Sequence, residues 1–259
     1  MKNCLIMGSG RSGTSMVAGM LYDAGYYMGE DLYPPRHSNP KGFFENAEIN
    51  GINERILEKY GRKISHFLFK RTKNNTIYRP GYGQRWLLSL PVRKNVKFFD
   101  RDIEMRIKRA LSRNPFAYKD PRFCYTLQVW ENFLKPAVVY ICIFREPHAT
   151  VESILKECRS VDYLKNFTIN KRNAYNVWIN MYSHILVKQL KSINRFVFVH
   201  YNQVYDGSAL KRLSGYLGVS LSLDFVDKGL KRSTGNPGEE IPLKAQQIYA
   251  ELCRMAGYK

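Results

Sequence analysis

A short apolar run, Cys4-Leu5-Ile6-Met7, leads directly into Gly8-Ser9-Gly10-Arg11-Ser12-Gly13-Thr14-Ser15, and an apolar-periodic segment follows. The run reads as a buried strand, the glycines as a tight turn and the periodic segment as a helix. A turn of this kind aims backbone N–H groups and a helix N-terminus at one point, which makes an anion site. Gly8, Gly13 and Ser15 fit the phosphate-loop pattern G-x-x-x-x-G-K-[ST], but Thr14 stands in the lysine's place and the loop's cation is Arg11. A bare turn would account for two glycines. The additional donors Arg11, Ser12, Thr14 and Ser15 favour a bound phosphate.

The rest of the chain has the alternation such a start requires. Strands are expected at 3–7, 116–119, 137–143 and 195–200. The run Ala137-Val138-Val139-Tyr140-Ile141-Cys142-Ile143-Phe144 is apolar almost throughout, as in a strand covered on both faces. Helices are expected to begin near Thr14, Asn46, Arg101, Thr126, Pro147, Lys171, Tyr205 and Leu243. In the Lys171 segment Trp178, Met181, Tyr182, Ile185, Leu186 and Ile193 fall mostly on one face. Pro147 suits a first helical position, and Gly218 a helix C-cap. The pattern predicts a three-layer α/β fold, with a central, mostly parallel sheet flanked by helices. A single domain over 1–259 is expected, with a basic, irregular excursion at about 61–97 that is long enough to cover a site.

The chain has 259 residues, 44% of them hydrophobic, enough for a full core. It has no uncharged apolar stretch of about 18 residues, so no membrane span is predicted. The opening run lacks the long apolar region of a secretory signal. The five cysteines are scattered and form no C-x-x-C pair, which fits free thiols in a reducing cytoplasm better than zinc or disulfides. The net charge of +19 predicts attraction to an anion, and much of it lies between Lys59 and Arg113. A solvated surface explains that run equally well. The charge also leaves room for a nucleic-acid binder with a degenerate phosphate loop, although no zinc-finger, RNA-recognition or helix-turn-helix pattern accompanies it. A P-loop-like kinase using ATP is a second alternative. It calls for a lysine at position 14 and an acidic metal ligand at a later strand end, where this chain has Phe144-Arg145. No metal is expected.

The loop GSGRSGTS resembles the 5'-phosphosulfate loop of the sulfotransferases that use 3'-phosphoadenosine 5'-phosphosulfate (PAPS) and release 3'-phosphoadenosine 5'-phosphate (PAP). Arginine at the cation position is more similar to the carbohydrate, tyrosylprotein and bacterial members than to the cytosolic ones. A second island is Arg145 at a strand end with Ser153 eight residues on. In the family such a pair binds the donor's 3'-phosphate; by itself it also fits a sheet-end arginine and an exposed serine. A third, Tyr118-Lys119-Asp120-Pro121-Arg122, is similar to a stretch whose lysine reaches the transferring sulfuryl group, and is otherwise a surface turn. A fourth, Asn39-Pro40-Lys41-Gly42-Phe43-Phe44-Glu45-Asn46, looks like a segment of bacterial members. There Glu45 is a candidate general base, or simply an acidic residue favourable at a helix start. His37 is a second candidate base. Tyr201 after the last strand resembles an adenine-side aromatic, and Lys231-Arg232 is an approximate match to a late basic segment.

The resemblance implies a P-loop NTPase-like sulfotransferase fold and in-line sulfuryl transfer to a hydroxyl or amine. It makes Arg11, Lys119 and Glu45 the catalytic candidates. Donor binding falls to Gly10, Arg11, Ser12, Gly13, Thr14, Ser15, Arg145, Ser153, Tyr201, Lys231 and Arg232. A small molecule, glycan, lipid or peptide is the expected acceptor, with no specific nucleic-acid partner.

Overall fold

The computed structural model describes residues 1–68, 80–165, 167–227, 229 and 240–259, with 61–68 described by their backbone. Four strands, β1 (Cys4–Met7), β2 (Ala117–Lys119), β3 (Val139–Phe144) and β4 (Arg195–His200), form one sheet in the order β2-β1-β3-β4. Every pairing is parallel, with Cys4 opposite Ala117 and Val139, and Val139 opposite Arg195.

Strand alternation divides the core in two. Leu5 and Met7 of β1, with Tyr140, Cys142 and Phe144 of β3, face one apolar cluster; Cys4, Ile6, Val139, Ile141 and Ile143 face the other. The second face is covered by α1 (Thr14–Asp23), α7 (Tyr201–Tyr205) and α8 (Leu210–Leu217). The first is covered by α2 (Ala47–Leu68), α3 (Arg101–Ala110), α4 (Phe123–Trp130), α5 (Pro147–Ser160), α6 (Lys171–Gln189) and α9 (Leu243–Ala256). The result is the expected three-layer α/β architecture. The chain leaves β1 for β2 on one side and returns to β3 on the other. This reversal opens a crevice at the carboxyl ends of the strands, where α/β sheets bind ligands.

Several boundaries differ from the sequence expectation, each for a local reason. The helix expected near Thr126 begins at Phe123, because the Asp120 carboxylate accepts the Arg122 N–H at 2.8 Å and starts the turn early. The helix expected near Tyr205 is two short ones. His200 and Gln203 form a capping box that starts α7 at Tyr201, and Gly207 at φ 84° breaks the chain before α8. The excursion is not irregular from 61 on, since α2 continues to Leu68; residues 69–79 lie outside those described. Its later part is not a surface loop either. Arg85–Leu87 form a 3-10 turn, and Trp86, Leu87, Leu88 and Leu90 are buried in the core. Ile193 lies beyond α6 and is 88% exposed rather than on its apolar face. No described helix is long and apolar enough to cross a membrane, and all five cysteines are free thiols, four of them buried.

Candidate active site

The carboxyl ends of all four strands deliver side chains to one cleft of about 420 Å³. After β1 comes the glycine loop, β2 ends at Lys119, and β3 and β4 are followed by Arg145 and Tyr201. The loop is tightly held. A Cβ on Gly10 would lie 2.5 Å from the Trp86 ring, and one on Gly13 2.5 Å from the Tyr201 ring. Gly13 also has φ 90°, and Arg11 adopts φ 71°, an uncommon conformation for a residue with a side chain. Gly13 is the N-cap of α1 and makes no side-chain cap. The first N–H groups of that helix have no preceding turn to accept them, and they open onto the cleft beside Thr14 and Ser15.

Ser12 is placed differently from the expectation. It is fully buried, and its hydroxyl lies 2.9 Å from the Tyr182 hydroxyl. Tyr182 also accepts the Ser9 N–H at 3.1 Å and sits 2.8 Å from the Ile143 carbonyl. The Ser12 N–H donates to Ser9 O at 3.2 Å. Ser12 therefore braces the loop from behind, and its hydroxyl does not face the cleft. Ser15 lines the cleft while donating to the Phe43 carbonyl at 3.2 Å.

Arg11 and Ser153 are brought together. The Arg11 Nε donates to Ser153 Oγ at 3.1 Å, one terminal nitrogen donates to the Ser38 carbonyl at 3.2 Å, and the other lies 3.4 Å from Glu157. Glu157 also accepts the Ser38 hydroxyl at 2.9 Å. Arg145 is buried against the same wall, its guanidinium 4.5 Å from the Tyr201 ring centroid. Lys231 and Arg232 lie outside the described residues. His37 is exposed and, unlike its neighbours Arg36 and Ser38, does not line the cleft.

Lys119 and Glu45 meet in a direct ion pair, with Lys119 almost entirely buried. Asn50 donates to the other Glu45 oxygen at 2.7 Å. The start of α2 is capped by Asn46, which accepts the Ile49 N–H at 3.1 Å, so Glu45 is not the cap. Burial pushes the Glu45 carboxyl up, but the charges of Lys119 and Arg122 and the two hydrogen bonds outweigh it and hold it below the usual range.

A buried network carries this pair. Arg122 donates to Glu54 at 2.7 Å and to Asp120 at 3.0 Å, and Arg85 reaches Glu54 at 2.6 Å. Asp120 also accepts from Asn53 at 2.9 Å. Arg85 is therefore an internal charge and not part of a basic surface. The sequence pointed to Lys119 and Glu45 but not to Glu54, Asn50, Glu157 or Tyr182. Those four sit in ordinary helical patterns with no local motif, and only the packing of α2, α5 and α6 against the strand ends brings them in.

No family model matches the chain, and no curated protein matches it. Solved structures do. The sulfotransferase domain of the Synechococcus PCC 7002 olefin synthase aligns over 100% of this chain and 97% of that one, with 18% identity and a TM-score of 0.50. The sulfotransferase domain of the curacin biosynthetic pathway aligns over 100% and 99%, with 15% identity and a TM-score of 0.53. The four-stranded parallel sheet and its two helical layers thus have the sulfotransferase fold.

Proposed function

We propose that the protein is a single-domain, PAPS-dependent sulfotransferase that moves a sulfuryl group to an acceptor hydroxyl or amine. The observation that carries this reading is the convergence, in one cleft, of a glycine loop at a helix N-terminus after β1, a cationic wall at Arg145 after β3, and the Lys119–Glu45 pair at the end of β2.

The residues present fit the donor. The Gly13–Ser15 end of α1, with Gly10 close behind, suits the 5'-phosphate, since a larger residue at Gly13 would fill the cradle against Tyr201. Arg145 and Ser153 suit the 3'-phosphate, and the flat Tyr201 ring suits the purine. When bound, the donor supplies a sulfuryl group on a good leaving group, the 5'-phosphate. The chain's own residues then have two tasks. Arg11 and Lys119 stabilise charge that builds on the sulfuryl and bridging oxygens. Glu45 Oε accepts the proton of the acceptor hydroxyl. Its engagement by Lys119 keeps the carboxylate ionised and fixed in place for that task.

The test is transfer of labelled sulfate from PAPS to a panel of phenols, alkanols, amines and sugars. Incorporation that disappears in Arg11→Ala supports the reading. Failure of the wild-type protein to bind PAP and to label any acceptor overturns it.

A further inference from the structure

The cleft that holds Lys119 and Glu45 also has aromatic walls. Tyr33, Phe43, Tyr82, Trp86 and Tyr163 line it. Glu45 lines the same cleft. Tyr82 is 76% exposed at the entrance, a large apolar ring left at the lip of a cleft. Arg122 is not free to meet a ligand charge, because Glu54 and Asp120 already hold it. Arg36 is different. It is exposed at the mouth, 5.3 Å from the Tyr163 ring centroid and 6.0 Å from that of Phe43, and among the described residues no carboxylate pairs with it.

Resting on the reading above, we propose that the acceptor is a phenol that also carries an anionic group, its ring between the tyrosines and Trp86, its hydroxyl at Glu45 and its anion at Arg36. Flat aromatic walls favour a flat apolar ring by stacking, and a rim cation paired with no carboxylate among the described residues favours an opposite charge. The chemistry of the base agrees. Glu45 is held ionised by Lys119 and Arg122 and is correspondingly weak as a proton acceptor. A weak base suits a phenol, with a pKa near 10, far better than an alkanol. In the step itself the phenolic proton passes to Glu45 and the aryl oxygen forms the new O–S bond. The bond from sulfur to the donor phosphate breaks, and its electron pair leaves with the phosphate.

One molecule tests the hydroxyl preference internally. 4-Hydroxyphenethyl alcohol carries a phenol and an alkanol, and nuclear magnetic resonance of the sulfated product reports which one reacted. The aryl sulfate is expected in excess by about a hundredfold. Comparison with 4-hydroxyphenylacetate tests the anion: kcat/KM is expected to be about fivefold higher for the carboxylate, the scale of one exposed ion pair, and Arg36→Gln is expected to abolish that ratio. An alkyl sulfate product, no transfer to either phenol, or a carboxylate preference that is absent or survives Arg36→Gln overturns the inference. PAP binding by calorimetry on the same preparation separates the two failures. A protein that binds PAP but does not sulfate phenols loses only the acceptor assignment, whereas one that does not bind PAP loses the sulfotransferase reading.

Discussion

Arg11 combines an unfavourable backbone conformation at φ 71° with a guanidinium held by Ser153, Ser38 and Glu157. Strain of this kind persists where the surroundings fix it, and here the fixed guanidinium lines the cleft beside the glycine loop. Replacing Arg11 with alanine is expected to lower kcat by about a hundredfold or more, as with other preorganised charges, while leaving the melting temperature near that of the wild type. Steady-state rates and a thermal melt check both halves. Glu45 gives a pH prediction. Its folded pKa lies below 4.5, so the carboxylate is available above that value and is lost as pH falls through it. The activity attributable to the base is therefore expected to be flat from pH 7 down to about 5, and Glu45→Gln to lower kcat by about a hundredfold without changing PAP affinity. Lys119 and Glu45 were legible in the sequence as separate candidates. Their direct contact was not, because the two residues lie 74 positions apart and only the tertiary fold joins them. Ser12 shows the opposite limit. Residue type marks it as a phosphate donor, but the buried Tyr182 takes its hydroxyl.

At the scale of elements, α2 and α9 each rest on buried polar groups that no sequence pattern exposes. Glu54 of α2 sits between Arg85 and Arg122, both nearly buried. Removing it by Glu54→Ala leaves two buried guanidinium groups short of a partner and is expected to cost about 3–5 kcal/mol, read from denaturant midpoints. On the other side, His200 at the end of β4 stacks on Tyr258 with centroids 3.7 Å apart and contacts Tyr249 of α9 at 3.2 Å. Burial lowers its pKa to about 4 from 6.5, which outweighs the pull of Glu146. The unfolded chain then binds the extra proton first, so this stabilisation is complete above pH 6.5 and is lost as pH falls from 6.5 towards 4. The melting temperature is expected to drop over that window, and less steeply in His200→Phe. The strands and most helix starts could be read from periodicity and caps, because those signals are local. The starts of α4 and α7 could not, since each depends on a side chain, Asp120 in the turn before α4 or His200 as the cap of α7, whose role is set by its neighbours in space.

For the whole molecule, the order β2-β1-β3-β4 places four strand ends side by side, and this arrangement turns scattered sequence islands into one cleft. The glycine loop follows β1 and Arg145 follows the neighbouring β3, a strand relation that the sequence implies only through its α/β alternation. The excursion is where sequence reading was least informative. Its composition suggested a basic loop, but Trp86 and Arg85 are inserted into the core and the cleft wall, and their internal partners explain residue types that look like surface. The proposed function requires a cleft that holds two separated phosphates on one adenosine. Isothermal titration with PAP, adenosine 5'-phosphosulfate and ATP with Mg²⁺ tests it most directly. PAP is expected to bind at least about tenfold more tightly than either of the others, and Arg145→Ala to remove that advantage, since a charge-assisted contact to phosphate is worth about 1.5–3 kcal/mol. Equal affinity for PAP and adenosine 5'-phosphosulfate, or a preference for ATP that depends on Mg²⁺, would contradict it.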